Sequence, residues 1–485
     1  MCCEKSVKFV SYYNYKEDYF MISKEQIEQI VQKTLAQMNV SQGSSSDGGW
    51  MFDNAADCVE AASTAQAKLV ALTMEHRGKI IDAMRCAARK NAEMLAKLAY
   101  EETGYGHVEH KIAKINLAAD KTPGVEDVVP RVYTGDYGMT LVEQAPFGVI
   151  GSITPSTNPP STVVNNSISM IAAGNAVVFN PHPAAAKSSQ AAMRVLNEAI
   201  VAAGGPAGLI CCPTNPNLET SDVIMNHPKV KLLSVTGGEA VVKVAMKTGK
   251  KCVAAGPGNP PVIVDETADL EKAGKHIVDG ASFENNILCV AEKECFIVNS
   301  VFDKLLAELQ KNGAWLIKGA DIDKIVRTVL INKDGKYVIN RKFVGHDATY
   351  IMDAAGVSYQ GNPRLVIAEV PKYHPFVEVE MLMPVLGCVR CTDVDEAIAW
   401  GVEAEHGCWH SAIMHSTNYL NMSKAAKALN TTIFVKNGPS YAGLVFLGEG
   451  HATLTIATPT GEGLTSARSF TRARRCVLED GFRII

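Results

Sequence analysis

The stretch FGVIGSITPSTNPPSTVVNNSISMIAAGNAVVFNP, residues 147–181, holds two short apolar segments that flank a longer one. FGVIGSITP at the front and NAVVFNP at the back have the length and continuous apolar character of buried β-strands. The segment between them runs to Ala173 and is long enough for a helix. We therefore predict a strand, a crossover helix and a second strand, the unit from which parallel sheets are built.

Three further segments continue this alternation toward the C-terminus. They are GLICCP at 208–213, VKLLSVTGG at 230–238 and KKCVAAGPG at 250–258, and each precedes a helical pattern or a Gly/Pro loop. Short apolar strands that alternate with helices are typical of a parallel sheet covered on both faces. The fold class predicted from the sequence is therefore α/β.

Ligands of such sheets bind outside the carboxyl ends of the strands. The loops expected there are Thr154–Pro160, Asn180–Pro183, Thr236–Glu239 and Ala255–Pro261. Among their residues we take as candidate cofactor contacts Thr154, Pro155, Asn180 and His182.

The pair Gly237-Gly238 lies between a predicted strand and a predicted helix. Glycine there lets the backbone approach a phosphate, and a helix N-terminus favours an anion. Ordinary turn chemistry is the more frequent explanation of such a pair, and the chain has no G-x-G-x-x-G fingerprint. From the residues alone, both explanations stay open.

Composition excludes several classes of protein. The 485 residues are 47% hydrophobic and 20% charged, the balance of a globular chain with two or three domains. A net charge of −4 provides no basic field for nucleic acid. No apolar run reaches the roughly 20 residues of a membrane span, and no signal-peptide pattern opens the chain.

The thirteen cysteines show no spacing of a disulfide framework. In a chain of this length we expect them to be reduced thiols in a cytoplasm. Cys388 and Cys391 form an isolated C-x-x-C without a second pair, so we predict no metal site.

One of these cysteines, Cys289, is a candidate nucleophile in the stretch FENNILCVAEK at 283–293. It follows a predicted helix, about thirty residues beyond the fifth strand's ligand loop. A nucleophilic thiol needs a lowered pKa or a nearby base, and donors for the oxyanion that forms. Asn158 and the backbone N–H of Cys289 could be those donors. The residues alone leave the alternative of a buried structural thiol open.

The front of the chain carries a separate pattern. Residues 21–39, MISKEQIEQIVQKTLAQMN, place apolar residues on one helical stripe, and residues 40–49 form a Ser/Gly-rich linker. A tethered amphipathic helix is a candidate for docking into a groove of another protein, and packing on its own body is the alternative. Residues 1–20 have no usable periodicity, and Met21 is a possible natural start.

Seven sequence blocks, in this order, resemble those of the aldehyde dehydrogenase superfamily. They are ITPSTNPPSTVVNNSISMIAAGNAVVFNPHP, SVTGG, AAGPGNPP, FENNILCVAEK, EVEMLMPVL, HGCWHSAIMHS and TIATPTGEGLTSARSFTRARR. The match is closest to the CoA-acylating branch, the propionaldehyde and acetaldehyde dehydrogenases of bacterial microcompartments. It covers about residues 50–485 and the front helix.

The resemblance implies a role for several residues. Cys289 matches the acyl-accepting nucleophile, and Asn158 matches the oxyanion donor. Gly237 and Gly238 match the cofactor-loop glycines, and Glu380 matches a glutamate that touches the nicotinamide ribose. The implied cofactor is NAD, with coenzyme A as cosubstrate.

The resemblance also implies a domain organisation: a Rossmann-like cofactor domain, an α/β catalytic domain and a small β oligomerisation ribbon. We expect an extension (1–20), the amphipathic helix (21–39), the linker (40–49), the cofactor domain (50–256, with 131–144 in the ribbon), the catalytic domain (257–440), and a return segment with the oligomerisation tail (441–485).

Two departures from the hydrolytic branch of the superfamily are informative. Ala254 stands where hydrolytic members carry the glutamate that activates water, and no other acid occurs between Cys252 and Asp265. Without that base, attack of water on the thioester loses a factor of roughly 10²–10⁴, whereas a thiol needs less help. Asn180 replaces a lysine that usually contacts the adenosine ribose. The expected preference for NAD over NADP therefore rests on the resemblance to the CoA-acylating branch.

The predicted activity is the conversion of a short aldehyde, CoA and NAD to acyl-CoA and NADH, with propionaldehyde the favoured substrate. The alternatives are a hydrolytic aldehyde dehydrogenase, a phosphate-dependent reductase of the same superfamily, and a catalytically silent cargo protein. The resemblance further implies a homo-oligomer (a dimer or tetramer) inside a bacterial microcompartment of the cytoplasm. There, residues 21–39 would resemble an encapsulation peptide that binds a shell protein.

Overall fold

The computed structural model describes residues 45–47 and 49–485 of the chain. The predicted extension (1–20), the amphipathic helix (21–39) and the front of the predicted linker lie outside the described residues.

The helices of the described part are numbered here in chain order. They are α1 (Ala55–Leu69), α2 (Met74–Lys90), α3 (Ala92–Thr103), α4 (Val108–Lys121), α5 (Pro159–Ala172), α6 (Ala186–Ala202), α7 (Leu218–Asn226), α8 (Glu239–Lys247), α9 (Leu270–Ser282), α10 (Asn299–Lys311), α11 (Ala320–Val329), α12 (Ala348–Ala355), α13 (Pro375–Glu378), α14 (Val394–Ala404) and α15 (Tyr419–Leu429).

The strands are numbered in the same way. They are β1 (Ser45–Asp47), β2 (Met51–Phe52), β3 (Arg131–Gly135), β4 (Gly138–Pro146), β5 (Val149–Thr154), β6 (Ala176–Pro181), β7 (Ile210–Pro213), β8 (Val230–Thr236), β9 (Lys251–Ala255), β10 (Pro261–Val264), β11 (Glu294–Val298), β12 (Ala314–Ile317), β13 (Leu330–Lys333), β14 (Lys336–Ile339), β15 (Leu365–Glu369), β16 (Val385–Cys391), β17 (Ser411–His415), β18 (Ile433–Lys436), β19 (Ile456–Ala457), β20 (Gly463–Leu464) and β21 (Thr471–Glu479).

The first sheet has the strand order β1–β2–β7–β6–β5–β8–β9. The five strands predicted from the sequence are β5 to β9, and each pairs in parallel with its neighbours. The predicted α/β class and parallel sheet are therefore confirmed. From β5 the chain first builds outward through β6 and β7, and then returns to the other side with β8 and β9. This reversal creates a topological switch point between β5 and β8.

An antiparallel pair extends the edge of the first sheet. Ser45–Asp47 pairs antiparallel with Met51–Phe52, which in turn runs parallel to β7. Residues 45–47 therefore do not form the predicted linker over 40–49. Sheet pairing there uses backbone N–H and C=O groups, which any residue supplies, so the Ser/Gly/Asp-rich sequence carried no strand signal.

Helix α5 connects β5 to β6 and is buried along its whole length. Because none of its residues is charged, it can pack on the sheet on one side and against α4 and α6 on others. Its two leading prolines suit the first helical turn, where backbone N–H groups have no partner within the helix.

The second sheet has the strand order β12–β15–β16–β11–β10–β17–β18, and all its pairings are parallel. The apolar segment ECFIVN at 294–299 has the length of a buried strand, and it forms β11. Alternate residues of β10 enter different apolar clusters: Val262 and Val264 pack on one face of the sheet and Ile263 on the other. This period of two is expected for a strand that is buried on both faces.

The small ribbon is an antiparallel sheet of β3, β4 and β21. It was predicted over 131–144 with a tail within 441–485; the observed β4 runs to Pro146, and the tail strand is Thr471–Glu479. Val132, Tyr133 and Val477 are more than half exposed on it.

Candidate active site

The carboxyl ends of β5, β6, β8 and β9 lie along one edge of the first sheet, beside the switch point. Thr154 ends β5 and is 2% exposed, and its hydroxyl has no hydrogen-bond partner within the described part of the chain. Pro155 follows it and is half-buried. A buried hydroxyl without a partner fits a site that receives a polar ligand, and Thr154 therefore fits its predicted role at a cofactor.

The predicted contacts Asn180 and His182 are engaged with their own surroundings. The Thr220 hydroxyl donates to Asn180 Oδ1 at 2.7 Å, and Asn180 Nδ2 donates to the Asn217 carbonyl at 3.1 Å. Asn180 thereby fixes the start of α7. His182 is exposed, and its Nδ1 accepts from the Ala184 N–H at 3.1 Å. These contacts are structural, and a cofactor role of either residue stays a prediction.

Gly237 and Gly238 lie between β8 and α8. The Gly237 N–H donates to the Ala255 carbonyl at 3.1 Å, which ties the loop after β8 to the end of β9. A Cβ atom on Gly238 would find no atom within 4 Å, so the space in front of the α8 N-terminus is open. This opening fits the phosphate approach predicted for the pair.

The amino ends of four adjacent strands of the second sheet form the other side of the site. Gly258 precedes β10, Cys289 precedes β11, Glu380 precedes β16 and His410 precedes β17. Because these strands stand side by side in the order β16–β11–β10–β17, the four residues lie along one edge. The structure therefore brings two of the predicted site residues, Cys289 and Glu380, to the same end of the sheet.

Cys289 is half-buried, whereas Cys211, Cys295 and Cys388 are fully buried. Burial, together with the negative charge of Glu380, raises the pKa of the Cys289 thiol to about 12, while Lys293 acts in the opposite direction. The resting residue is therefore a protonated thiol at neutral pH. A neighbouring base or cation has to assist the loss of its proton before it can attack a carbonyl.

Glu380 is half-buried, and the charge of Lys293 acts on both Glu380 and Cys289. Burial raises the pKa of its carboxyl group, while the charge of Lys293 and a hydrogen bond from the Gly258 N–H lower it. Lys293 itself is fully buried, and its ammonium group donates to the carbonyls of Asn286 at 2.8 Å and Leu288 at 3.2 Å. It thereby holds the backbone on the N-terminal side of Cys289.

His410 is a site residue that sequence reasoning missed. It is 1% exposed, its Nδ1 lies 2.8 Å from the Ser411 hydroxyl, and its Nε2 has no partner in the described residues. Burial lowers the pKa of His410 to about 4, with a further contribution from Lys293, so the imidazole is neutral at physiological pH. A Cβ atom on Gly258 would lie 2.8 Å from Cγ of His410 and 2.9 Å from the carbonyl oxygen of Cys289. The imidazole therefore borders the nucleophile's own backbone.

The only local signal for His410 was the block HGCWHSAIMHS, which contains three histidines. His406 is exposed and His415 is buried at the end of β17, and no spacing in the sequence distinguishes these environments.

Asn158 caps α5 and is 8% exposed. Its Oδ1 accepts a hydrogen bond of 2.6 Å from Lys114 Nζ, a buried lysine on α4. The Cys289 side chain is close enough to Lys114 for its charge to raise the pKa of the Lys114 ammonium group. Lys114 therefore connects the two predicted catalytic residues.

Ala254 lies on β9 and is completely buried. Its N–H donates to the Thr460 hydroxyl at 3.0 Å. The side chain at position 254 is therefore a fully buried methyl group, without a carboxylate.

Within residues 45–47 and 49–485, no helix is both long and apolar enough to cross a membrane. In the same residues, no group of three or more His, Cys, Asp or Glu side chains could hold a metal ion.

Comparison with known proteins assigns this architecture to a family. Residues 53–451 match the model of the aldehyde dehydrogenase family. The chain is 50% identical over 469 residues to the acetaldehyde dehydrogenase (acetylating) EutE of Salmonella typhimurium, covering 96% of this chain and all of that protein.

Two solved structures are similar over nearly the same span. One is Rhodopseudomonas palustris propionaldehyde dehydrogenase with bound CoA and an acylated cysteine, at 47% identity and a TM-score of 0.87, covering 90% of this chain and 99% of that one. The other is a propionaldehyde dehydrogenase from the Clostridium phytofermentans fucose utilisation bacterial microcompartment, at 45% identity, the same TM-score and the same coverage. The chain described here belongs to the aldehyde dehydrogenase family.

Proposed function

We propose that this chain oxidises a short aldehyde with NAD and transfers the acyl group to coenzyme A through a thioester on Cys289. The observation that carries the proposal is the half-buried Cys289 at the edge it shares with Glu380 and His410, with the buried methyl group of Ala254 in place of an acid. Relatives that are acetylating, or that hold CoA and an acylated cysteine, support the same chemistry.

In the first half-reaction the Cys289 thiol releases its proton to solvent, assisted by the positive charge of Lys293, and its sulfur attacks the aldehyde carbonyl. The oxyanion that forms accepts hydrogen bonds from the Asn158 amide and the Cys289 N–H. A bound nicotinamide cofactor supplies the acceptor for the hydride that leaves the aldehyde carbon. The groups that would hold it are the Thr154 hydroxyl, the backbone at Gly237-Gly238 and the Glu380 carboxylate. The product on the chain is an acyl thioester of Cys289.

In the second half-reaction the thiol of CoA attacks this thioester and releases acyl-CoA, which returns Cys289 to its starting state. A neutral His410 can accept the CoA thiol proton through its unpartnered Nε2, because its imidazole borders Cys289. Water competes poorly, since no carboxylate stands at position 254 to activate it. The favoured substrate is propionaldehyde, by analogy with the relatives that carry that name.

The decisive experiment is the Cys289→Ala variant of the full chain. With propionaldehyde, CoA and NAD, we expect the wild type to form propionyl-CoA and NADH in equal amounts, and the variant to form neither. Cys86→Ala, on the surface, is the matched control and should behave as the wild type. Turnover retained in Cys289→Ala would refute the assignment, and thioester release only to phosphate or water would favour the alternative enzymes.

We further propose that residues 21–39 bind a microcompartment shell protein and that the ribbon of β3, β4 and β21 joins subunits into a homo-oligomer. A relative from a microcompartment supports the first proposal, and the exposed apolar residues of the ribbon support the second. Deleting residues 1–45 should abolish co-purification with shell protein while deleting 1–20 should not. Equal co-purification of both would contradict the docking role.

A further inference from the structure

A buried ion cluster lies behind the proposed oxyanion site. It consists of Lys111 and Lys114 on α4 and Glu284, which comes five residues before Cys289. Lys111 Nζ lies 3.0 Å from Glu284 Oε1 and Lys114 Nζ lies 2.7 Å from Glu284 Oε2, and none of the three side chains is more than 4% exposed. Burying ions costs free energy that a pair only partly recovers. Two ammonium groups on one carboxylate need a reason beyond stability.

The backbone at residues 284–286, beside this cluster, has an unusual conformation. Glu284, Asn285 and Asn286 have φ values of 53°, 52° and 64°, a left-handed conformation that non-glycine residues rarely adopt in succession. A Cβ atom on Gly106 would lie 1.9 Å from Glu284 Oε1, so only glycine leaves room for this carboxylate. Strain of this kind persists where the surroundings enforce it, often at functional sites.

The second partner of Lys114, besides Glu284, is Asn158. Lys114 Nζ donates to Asn158 Oδ1 at 2.6 Å, while Asn158 Nδ2 lies 3.2 Å from the Thr157 hydroxyl. An ammonium group can only donate, so the amide atom that faces Lys114 must be the oxygen. The NH₂ group of Asn158 is therefore the part left to bind an oxyanion, and the cation on its oxygen makes that NH₂ group a stronger donor.

We infer that Lys114 is a positioning residue of the acylation reaction, which orients and polarises the Asn158 amide and is itself held by Glu284, the carboxylate that Lys111 also contacts. The inference rests on the proposed function of Asn158 and Cys289. It requires that Lys114 be charged. The groups facing it are Lys111 and His110 on its own helix, and Glu284 and Cys289 from the neighbouring loop.

The state of Lys114 changes within an accessible pH range. Burial lowers its pKa to about 8, although Glu284 acts in the opposite direction. Lys114 therefore carries its charge below pH 8 and loses it as pH rises through about 8. We expect kcat for aldehyde oxidation to fall over the same range.

The test compares Lys114→Met and Lys114→Arg in the full chain. Lys114→Met should lower kcat by roughly 10-fold to 100-fold, less than the 10²–10³ lost when an oxyanion donor is itself removed, with a smaller change in KM. Lys114→Arg should retain most activity and lose the fall above pH 8, because guanidinium stays protonated. Lys121→Met, exposed at the end of α4, is the matched control and should match the wild type.

A double-mutant cycle separates positioning from folding. If Lys114 acts through Asn158, adding Lys114→Met to the Asn158→Ala variant should lower kcat little further. Should Lys114→Met not fold, Glu284→Gln replaces it: losing the counter-charge should move the alkaline fall of kcat to lower pH. An unchanged pH profile in these variants, or additive losses in the cycle, would overturn the inference. If Cys289→Ala is also inactive in that case, the proposed function stands and only the role of Lys114 fails.

Discussion

The imidazole of His410 packs directly against the backbone of Gly258. A Cβ atom at position 258 would lie 2.8 Å from Cγ of His410 and 2.9 Å from the carbonyl oxygen of Cys289, distances at which something must move. The N–H of Gly258 also bonds to Glu380. This one glycine therefore sets the spacing between the proposed nucleophile, the neutral histidine and the carboxylate.

The variant Gly258→Ala tests this spacing. Its methyl group should push His410 and Cys289 apart, and a misplacement of about 1 Å can cost about 100-fold in rate. The measurement is the initial rate of NADH formation, with thermal unfolding as a check on the fold. Gly78→Ala, inside α2, is the matched control, because a Cβ atom there would lie 3.6 Å from Val125, an ordinary contact distance. It should keep full activity and gain about 0.5–1 kcal/mol of stability. Wild-type activity in Gly258→Ala would contradict the claim that a side chain at position 258 displaces His410 and Cys289.

His410→Gln should separate the two half-reactions. Without a base for the CoA thiol, we expect one equivalent of NADH to form rapidly per active site, followed by slow turnover and an acylated Cys289 visible by intact mass. Because the pKa of His410 is lowered to about 4, wild-type acyl transfer should not lose this base between pH 8 and 5. A step in the transfer rate near pH 6.5 that disappears in His410→Gln would contradict a buried, neutral imidazole.

Strands such as β5 could be predicted from the sequence, whereas the close contacts around Gly258 could not. Five of the seven strands of the first sheet were predicted because each is a continuous apolar run, a signal carried by neighbouring residues. Cys289 and Asn158 were predicted by resemblance, and the structure connects them through Lys114.

Contacts between distant segments were not predictable. Nothing in the stretch EHKIAK distinguishes Lys111 and Lys114 from surface lysines, and only the fold brings Glu284 against them. Asn180 and His182 were predicted as cofactor contacts from their place at the end of β6, and this stays a prediction; the sequence did not indicate their observed structural partners. Burial of a polar side chain depends on what packs over it, which a single sequence does not record.

Ala254→Glu tests why the thioester goes to CoA. The new carboxylate should activate water, so some propionate should appear when CoA is limiting; the gain is bounded by the roughly 10²–10⁴ of general-base catalysis. Ala254 is fully buried, so Ala254→Gln controls for the added volume and should release no acid. Propionate measured by chromatography from both variants equally, or from neither while both fold, would contradict the account.

Glu292 should make stability depend on pH. Its carboxylate accepts hydrogen bonds from the Ser440 N–H at 2.8 Å and the Ser440 hydroxyl at 2.6 Å, and it is fully buried. Burial raises its pKa to about 7, against 4.5 for the ordinary residue. The folded chain therefore holds a proton that the unfolded chain has lost, and Glu292 loses its stabilising contribution as pH rises from 4.5 through 7.

The variant Glu292→Gln cannot lose that proton. Relative to the wild type, its free energy of unfolding should increase by about 3 kcal/mol between pH 4.5 and pH 8, the value of the pKa difference at about 1.4 kcal/mol per unit. Denaturant unfolding at several pH values measures this difference, and Glu266→Gln on the surface should show none of it. A constant difference between Glu292→Gln and the wild type would mean that Glu292 does not titrate near neutral pH. A difference in the free energy of unfolding that decreases with pH would mean that the pKa of Glu292 is lowered, and not raised, by folding.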